Sequence, residues 1–176
     1  MKFEYGYLNR VLRVLGKRAS NGRADMDSHF YNLGYQIDSV GTLKTYGVLL
    51  DYDSEPTNSV DTYGVRFEGN SPMPGWQFLS TVEYAIQRDA ERNPNHVNAD
   101  YRLLELGVQV SDIAYRAGYN LLSGDSLTNK FITPLSHTFN SLTELFLVNP
   151  SLGDNHGLEV FSATVAGKVP KIEALT

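Results

Sequence analysis

Several apolar stretches of this sequence carry charged residues at alternate positions. Their type and spacing could let them bind or select a solute. Successive side chains of a strand point to opposite faces, so Arg66 and Glu68 share one face, and Glu83 lies on the matching face of the next stretch. Opposite charges in a narrow aqueous pore orient and select solutes. The same charges could instead pair with one another as an ordinary polar barrel interior, and both interpretations stay open. The candidates for pore-lining residues are Asp51, Arg66, Glu68, Glu83, Glu105 and Arg116.

Enzymatic chemistry has little support in the sequence. The four histidines, His29, His96, His137 and His156, are scattered and show no metal-binding spacing such as HExxH. A Gly-x-Ser-x-Gly elbow and a glycine-rich phosphate loop are both absent from the sequence. Asp51 and Asp53 share a strand face and could act as glycosidase carboxylates or bind Ca²⁺, but solvated charges at the rim of a sheet are the simpler interpretation. We therefore predict no enzyme, no metal site and no cofactor.

Composition narrows the class of protein further. The chain has 176 residues with 15 basic and 20 acidic side chains, a net charge of −5, which argues against a protein that coats nucleic acid. The sequence contains no cysteine, which excludes disulfides and thiolate metal sites. No run of about 18 apolar residues is present, so no transmembrane helix is predicted.

Alternating hydrophobicity predicts an all-β protein. Tyr63, Val65 and Phe67 share one face of a strand, and Tyr46, Val48, Leu50 and Tyr52 form the apolar face of another. Arg66 and Glu83 are predicted to pair across the hairpin that joins their strands. The predicted strands cover 3–15, 28–38, 43–53, 62–69, 76–87, 104–110, 113–121 and 157–169, and residues 170–176 could begin a ninth.

Short and long connections alternate along the chain. The short ones lie at 39–42, 70–75 and 111–112, and the long ones at 17–27, 54–59, 89–98 and 124–155. All short connections therefore fall at one end of an up-and-down antiparallel sheet. This layout, with strands of about 10 to 13 residues, is typical of a transmembrane β-barrel, and residues 1–176 are predicted to form a single barrel domain.

The apolar faces have two possible surroundings, because alternation does not tell whether an apolar face meets lipid or protein. In a membrane barrel these faces point outward, and aromatic residues near strand ends form interfacial girdles. In the alternative, a soluble β-barrel or sandwich that binds a small ligand or carbohydrate, the same faces form the core. The predicted girdle residues are Tyr31, Tyr52, Tyr63, Trp76, Tyr101 and Tyr115.

The connection at 124–155 is the candidate for a constriction, since a loop of this length in a compact domain is usually either functional or a wrongly assigned element. It carries an apolar patch at 142–148 that could form a short helix. Folded into a barrel it would narrow the channel, and the alternative is a cap outside it. Its predicted anchors are Phe131, Pro134, Leu135, Phe139 and Phe146.

Short motifs occur in order along nearly the whole chain: YLNRVLRVLG at 7–16, LLD at 49–51, DTYGVR at 61–66, EYAIQ at 83–87, DYRLLELG at 100–107, FITPL at 131–135, Phe139, and FLVNP at 146–150. Together they resemble the C-terminal part of the alginate export family of outer-membrane proteins. One stretch departs from the family, which tends to carry a Gly-Trp-Ala-Asp-like sequence where this chain has SLTE at 141–144.

The resemblance implies a large monomeric porin-like barrel in the bacterial outer membrane, surrounded by outer-membrane lipid. It implies passive passage of a hydrophilic solute or polysaccharide. That barrel has more strands than the eight or nine predicted here, so we expect the chain to be part of a longer barrel, incomplete at both ends. The alginate exporters resemble arginine-lined channels, whereas the pore-lining candidates here are mixed to acidic, so alginate itself is not the predicted cargo.

Overall fold

The computed structural model describes residues 1–12, 23–90, 92–132 and 157–167, and these residues form one antiparallel β-sheet. The strands pair in sequence order, which confirms the predicted all-β, up-and-down arrangement. The first and last strands are the edges of the sheet, and no ladder joins them among the described residues. The strands are β1 (Lys2–Leu12), β2 (Arg23–Ile37), β3 (Gly41–Leu50), β4 (Val60–Met73), β5 (Trp76–Asp89), β6 (Asn98–Val110), β7 (Ile113–Ser123) and β8 (Gly157–Gly167).

The predicted alternation of connections is confirmed. Residues 38–40, 74–75 and 111–112 make short turns at one end of the sheet, whereas 51–59, 90–97 and 124–156 connect strands at the other end. The turn between β4 and β5 needs only two residues, because Gly75 adopts a φ of 82° that residues with a Cβ rarely adopt. A short 3₁₀ turn, Pro56–Asn58, precedes β4.

The predicted loop at 17–27 is wrong in its second half, because β2 begins at Arg23. The charged residues there resemble a loop in sequence, yet Arg23 and Asp25 lie on one exposed face of the strand, and Ala24 and Met26 are buried on the other. β4 and β5 also extend beyond their predicted ends, which reduces the predicted turn at 70–75 to two residues. The predicted strand ends at 13–15 and 168–169, and the possible ninth strand, lie outside the described residues.

The register defines two faces of the sheet. Val65 pairs with Tyr84 and Thr45, and we call the face that carries them the outer face. Arg66 pairs with Glu83 and Lys44 on the opposite face, the inner face. Tyr46 and Val48 therefore lie on the inner face, so the apolar side chains of β3 do not continue the apolar face of β4 as alternation alone suggests.

The outer face is apolar and exposed. Leu33, Tyr35, Tyr63 and Val65 are among the exposed residues of this face. It also carries Phe3, Tyr5, Tyr7, Trp76, Val82, Tyr84, Leu104, Leu106, Val108, Val110, Ile113, Tyr115, Phe161 and Val165, all of them exposed.

The inner face holds the hydrophobic core, at the end of the sheet where the long connections lie. Burial of one face of a single sheet while the other stays exposed is expected of a sheet that curves toward the buried face. The core cluster consists of Ala24, Met26, Leu50, Tyr52, Val60, Ala85, Val97, Ala99, Tyr101 and Phe131.

Two of the predicted girdle residues are wrong. Tyr52 and Tyr101 belong to the core cluster and are buried, because the register places Tyr101 opposite Ala85 on the inner face and Tyr52 follows the buried Leu50. Tyr31, Tyr63, Trp76 and Tyr115 lie on the outer face as predicted.

Candidate functional site

The sheet brings five of the six pore-lining candidates onto the inner face. Arg66 lies opposite Glu83, and Glu68 lies opposite Thr81, which in turn lies opposite Glu105. Arg116 lies opposite Gly107, two residues beyond Glu105 along β6. These residues occupy the part of the inner face between the core cluster and the short turns.

Arg66 is the centre of an ion-pair network that joins three strands. Its Nη1 lies 2.5 Å from Oε2 of Glu83 and its Nε lies 2.8 Å from Oε1 of Glu68. The predicted pair of Arg66 with Glu83 is therefore confirmed. Nζ of Lys44 lies 2.7 Å from the second oxygen of Glu68, and the Tyr46 hydroxyl donates a 2.6 Å hydrogen bond to Oε1 of Glu83.

Glu83 is the buried member of this network, with a side chain that is 2% exposed, whereas the side chain of Arg66 is 28% exposed. A buried carboxylate needs hydrogen bonds to both oxygens, or its desolvation opposes folding. Arg66 and Tyr46 supply one bond to each oxygen. The network therefore fixes a charge that the fold could not otherwise hold at this depth.

A second ion pair lies farther along the sheet. Nη1 of Arg116 on β7 lies 2.6 Å from Oε1 of Glu105 on β6. Both side chains are partly exposed, so this pair meets solvent on the inner face. Because both side chains are partly exposed, substitution of either Arg116 or Glu105 does not leave the other as a deeply buried charge.

Asp51 does not join these residues. It follows β3 at the end of the sheet with the long connections, where Nη2 of Arg92 lies 2.6 Å from Asp51 and 2.9 Å from Asp53. Hydrogen bonds to these two carboxylates raise the pKa of the exposed Arg92 above its ordinary value, so Arg92 stays a cation. The three residues form a rim ion-pair cluster, as the simpler interpretation of Asp51 and Asp53 expects.

Sequence reasoning missed Lys44 and Tyr46 as members of the network. The aromatic and aliphatic residues of β3 indicated that Tyr46 lies on the apolar face of the strand. Lys44 lies on the same face and was therefore not considered as a pore-lining residue. Pairing with β4 decides the face, because Lys44 lies opposite Arg66. No local signal in the sequence gives this pairing, because the nine residues 51–59 between β3 and β4 do not fix its register.

Gly64 lets Tyr46 reach Glu83 across an intervening strand. Tyr46 lies on β3 and Glu83 on β5, with β4 between them, and the Tyr46 ring passes over Gly64. A Cβ at Gly64 would lie 2.2 Å from Cζ and 2.5 Å from the hydroxyl oxygen of Tyr46. The missing side chain is therefore a requirement of the network.

The chain that follows β7 returns to the inner face, and we call residues 125–132 the inner segment. Nε2 of Gln87 donates to the Ile132 carbonyl at 2.9 Å, and Oε1 of Gln87 accepts from the Ile132 amide at 2.7 Å. Nε2 also donates to the Thr62 hydroxyl at 2.8 Å. Gln87 is fully buried, so this side chain bonds the inner segment much as a neighbouring strand would.

Phe131, a predicted constriction anchor, is buried in the core cluster. Its ring centroid lies 5.8 Å from that of Tyr101, a distance typical of packed aromatic pairs. The other predicted anchors, Pro134, Leu135, Phe139 and Phe146, and the possible helix at 142–148 lie outside the described residues.

Other kinds of site are not seen in the described ranges. No group of three or more His, Cys, Asp or Glu side chains is arranged to hold a metal ion among the residues that the structure describes. Within the same residues, no helix has the length and apolar character needed to cross a membrane. His29 contacts Tyr5 on the outer face, where the tyrosine hydroxyl lies 2.7 Å from Nδ1.

Comparison with known proteins finds no matching family model, no matching curated protein and no matching solved structure. The resemblance to the alginate export family therefore rests on the sequence motifs alone.

The contact between Gly64 and Tyr46 predicts that Gly64→Ala will destabilise the protein. The added methyl group displaces the Tyr46 ring and removes a hydrogen bond to a buried carboxylate, a loss of about 1–3 kcal/mol. Thermal unfolding, followed by circular dichroism, measures the change.

Gly34→Ala is the matched control, since Gly34 lies in a strand on the same face and a Cβ there would meet its nearest atom at 3.9 Å. That variant should keep or slightly raise the melting temperature. Alanine gives the unfolded chain fewer conformations than glycine does, which raises the free energy of unfolding by about 0.4–1 kcal/mol. Equal melting temperatures for the two variants would contradict the role of Gly64.

The hydrogen bonds of Gln87 predict that Gln87→Met will release the inner segment. Methionine has a similar length but cannot bond Ile132, and a loss of about 2 kcal/mol raises the population of the open segment about 30-fold. Trypsin cleavage after Lys130, quantified by mass spectrometry, measures that population. Gln77→Met on the same face of β5 is the control, and a cleavage rate that rises equally in both variants would show that Gln87 does not hold the segment.

Proposed function

We propose that the chain forms part of the wall of an outer-membrane β-barrel channel of the alginate-export type, through which a hydrophilic solute or polysaccharide passes passively. The observation that carries this proposal is the distribution of side chains between the two faces. The outer face exposes aliphatic and aromatic residues, while ion pairs lie on the inner face. A water-soluble barrel has the opposite arrangement, with its apolar faces inside.

On β5 the apolar band has the height expected in a membrane, whereas on β6 it ends at Leu104, because Arg102 lies opposite Tyr84 on the same face. On β5 the outward residues from Trp76 to Ile86 carry no charge, and Arg88 is the next residue on that face. Ten steps of about 3.3 Å give about 33 Å along the strand. At a tilt of about 40° this length corresponds to about 25 Å of height, the height of the apolar band of outer-membrane barrels.

The border of the band carries the residues expected at a membrane interface. Charges appear on the outer face toward the long connections, where Arg102 pairs with Asp100 at 2.6 Å and Arg10 pairs with Asp25 at 2.8 Å. Tyr7 packs beside His29 at the same border, with ring centroids 5.2 Å apart. Aromatic rings with polar tips are favoured at such borders.

The sheet has open edges, so the proposed barrel requires more strands than those described. β1 and β8 each have one unpaired side among the described residues. A lipid environment does not tolerate unpaired backbone groups, so a membrane barrel must close. The proposed channel therefore needs further strands between β8 and β1, and the inner segment is its proposed constriction.

The first experiment asks whether the purified chain requires detergent to stay monodisperse while giving a β-type circular dichroism spectrum. A β-rich species that requires detergent is the expected result. A detergent-independent soluble monomer would overturn the proposal and favour a soluble barrel or sandwich that binds a small ligand or carbohydrate.

Depth dependence gives the sharper test. Val82 and Met73 are both on the outer face, 46% and 44% exposed, but Val82 lies in the middle of the apolar band and Met73 beside the short turn after β4. Arginine at the bilayer midplane costs about 2–4 kcal/mol, and about 0–1 kcal/mol near an interface. We expect Val82→Arg to lose most folded protein in detergent or lipid, and Met73→Arg to lose little. In water both positions are equally exposed, so two equally small effects would contradict the membrane position.

A further inference from the structure

In the part of the inner face between the core cluster and the short turns, the charged residues that the structure describes are equal in number, and each lies beside its opposite. The pairs are Lys2 with Glu4 at 2.6 Å, Lys44 with Glu68 at 2.7 Å, Arg66 with Glu68 at 2.8 Å and with Glu83 at 2.5 Å, and Arg116 with Glu105 at 2.6 Å. These four cations and four anions leave this part of the face without net charge. The sequence predicted a mixed to acidic pore lining. This part of the inner face is instead balanced, because Asp51 lies at the rim and Lys44 joins the network.

Opposite charges lie next to each other along one wall. A pore that separates cations on one wall from anions on the other would impose a field across its whole width. Here each charge is neutralised within hydrogen-bond distance, so the potential of the pair falls off over a few ångströms. A mobile ion or a polyanion therefore finds no extended attraction to this wall.

The wall still offers hydrogen-bonding groups of both kinds. A guanidinium has five N–H donors and a carboxylate accepts at both oxygens, and the Arg116 pair uses one N–H and one oxygen in its bond. Thr164 lies opposite Arg116, which adds a hydroxyl group to the same face. A hydroxyl group of a solute both donates and accepts, so it can bond either member of each pair.

We propose that the solute of this channel is an uncharged, hydroxyl-rich molecule of the neutral oligosaccharide class, and that the described wall does not select ions by sign. This inference rests on the proposed channel. It names the substrate class that the paired charges fit and excludes an acidic polysaccharide as the preferred cargo.

Reversal potentials of the closed barrel that includes this chain, measured in planar lipid bilayers under a KCl gradient, test the wall. We expect a cation-to-anion permeability ratio near unity. Glu105→Gln leaves Arg116 without its anion and should shift the ratio toward anions, whereas Arg116→Gln should shift it toward cations. Strong selectivity for either sign in the unmodified barrel, or no shift in either variant, would overturn the inference.

Swelling of liposomes that contain the protein tests the solute directly. The probes are a neutral glucose oligosaccharide and a uronic acid oligosaccharide of the same length. Faster entry of the neutral probe is expected, and equal or faster entry of the acidic probe would overturn the inference while leaving the channel intact. Failure of both probes and of ions to pass would overturn the proposed channel itself, and the inference with it.

Discussion

Burial of the Glu83 carboxylate is the constraint on which the central part of this sheet depends. A charge at this depth opposes folding unless both of its oxygens are bonded, and here the bonds come from Arg66 on β4 and from Tyr46 on β3. One carboxylate therefore ties three strands to a single register. A slip of one residue would move Glu83 to the apolar outer face and Tyr84 to the inner face, reversing every side chain of β5. The ion-pair network thus specifies which face is which.

The all-β, up-and-down arrangement of the strands could be predicted from the sequence because its main signals are local. Alternation with a period of two gave the strands, and the contrast between short and long connections gave their order and direction. The first half of β2 was missed because Arg23, Asp25 and Asp27 resemble a polar loop. Their strand conformation depends on pairing with β1 and on burial of Ala24 and Met26, and both are contacts between distant parts of the chain.

The candidate site could be predicted only where one hairpin determines the geometry. Arg66 and Glu83 are joined by a tight turn, so the count of residues on either side sets their pairing. Lys44 and Tyr46 enter the network through the pairing of β3 with β4, across a connection of nine residues that the sequence does not constrain. Asp51 was misplaced for a related reason, since it follows the end of β3 and binds Arg92 from another connection. Alternation determines which residues of one strand lie on the same face. Only the register determines which residues of the neighbouring strand lie on that face with them.

The polar and apolar parts of the inner face lie at different ends of the sheet and make different contacts. The apolar cluster and the inner segment occupy the end with the long connections, where Gln87 bonds Ile132 and Phe131 packs on Tyr101. The ion pairs occupy the part toward the short turns, so these charged groups are separated from the packed core cluster. A single sheet that buries charge on one face and exposes hydrocarbon on the other gains little from folding in water, because the hydrophobic effect favours the reverse. In the proposed membrane setting that conflict is removed, since hydrocarbon then meets hydrocarbon on the outer face and the ion pairs of the inner face keep their contact with water.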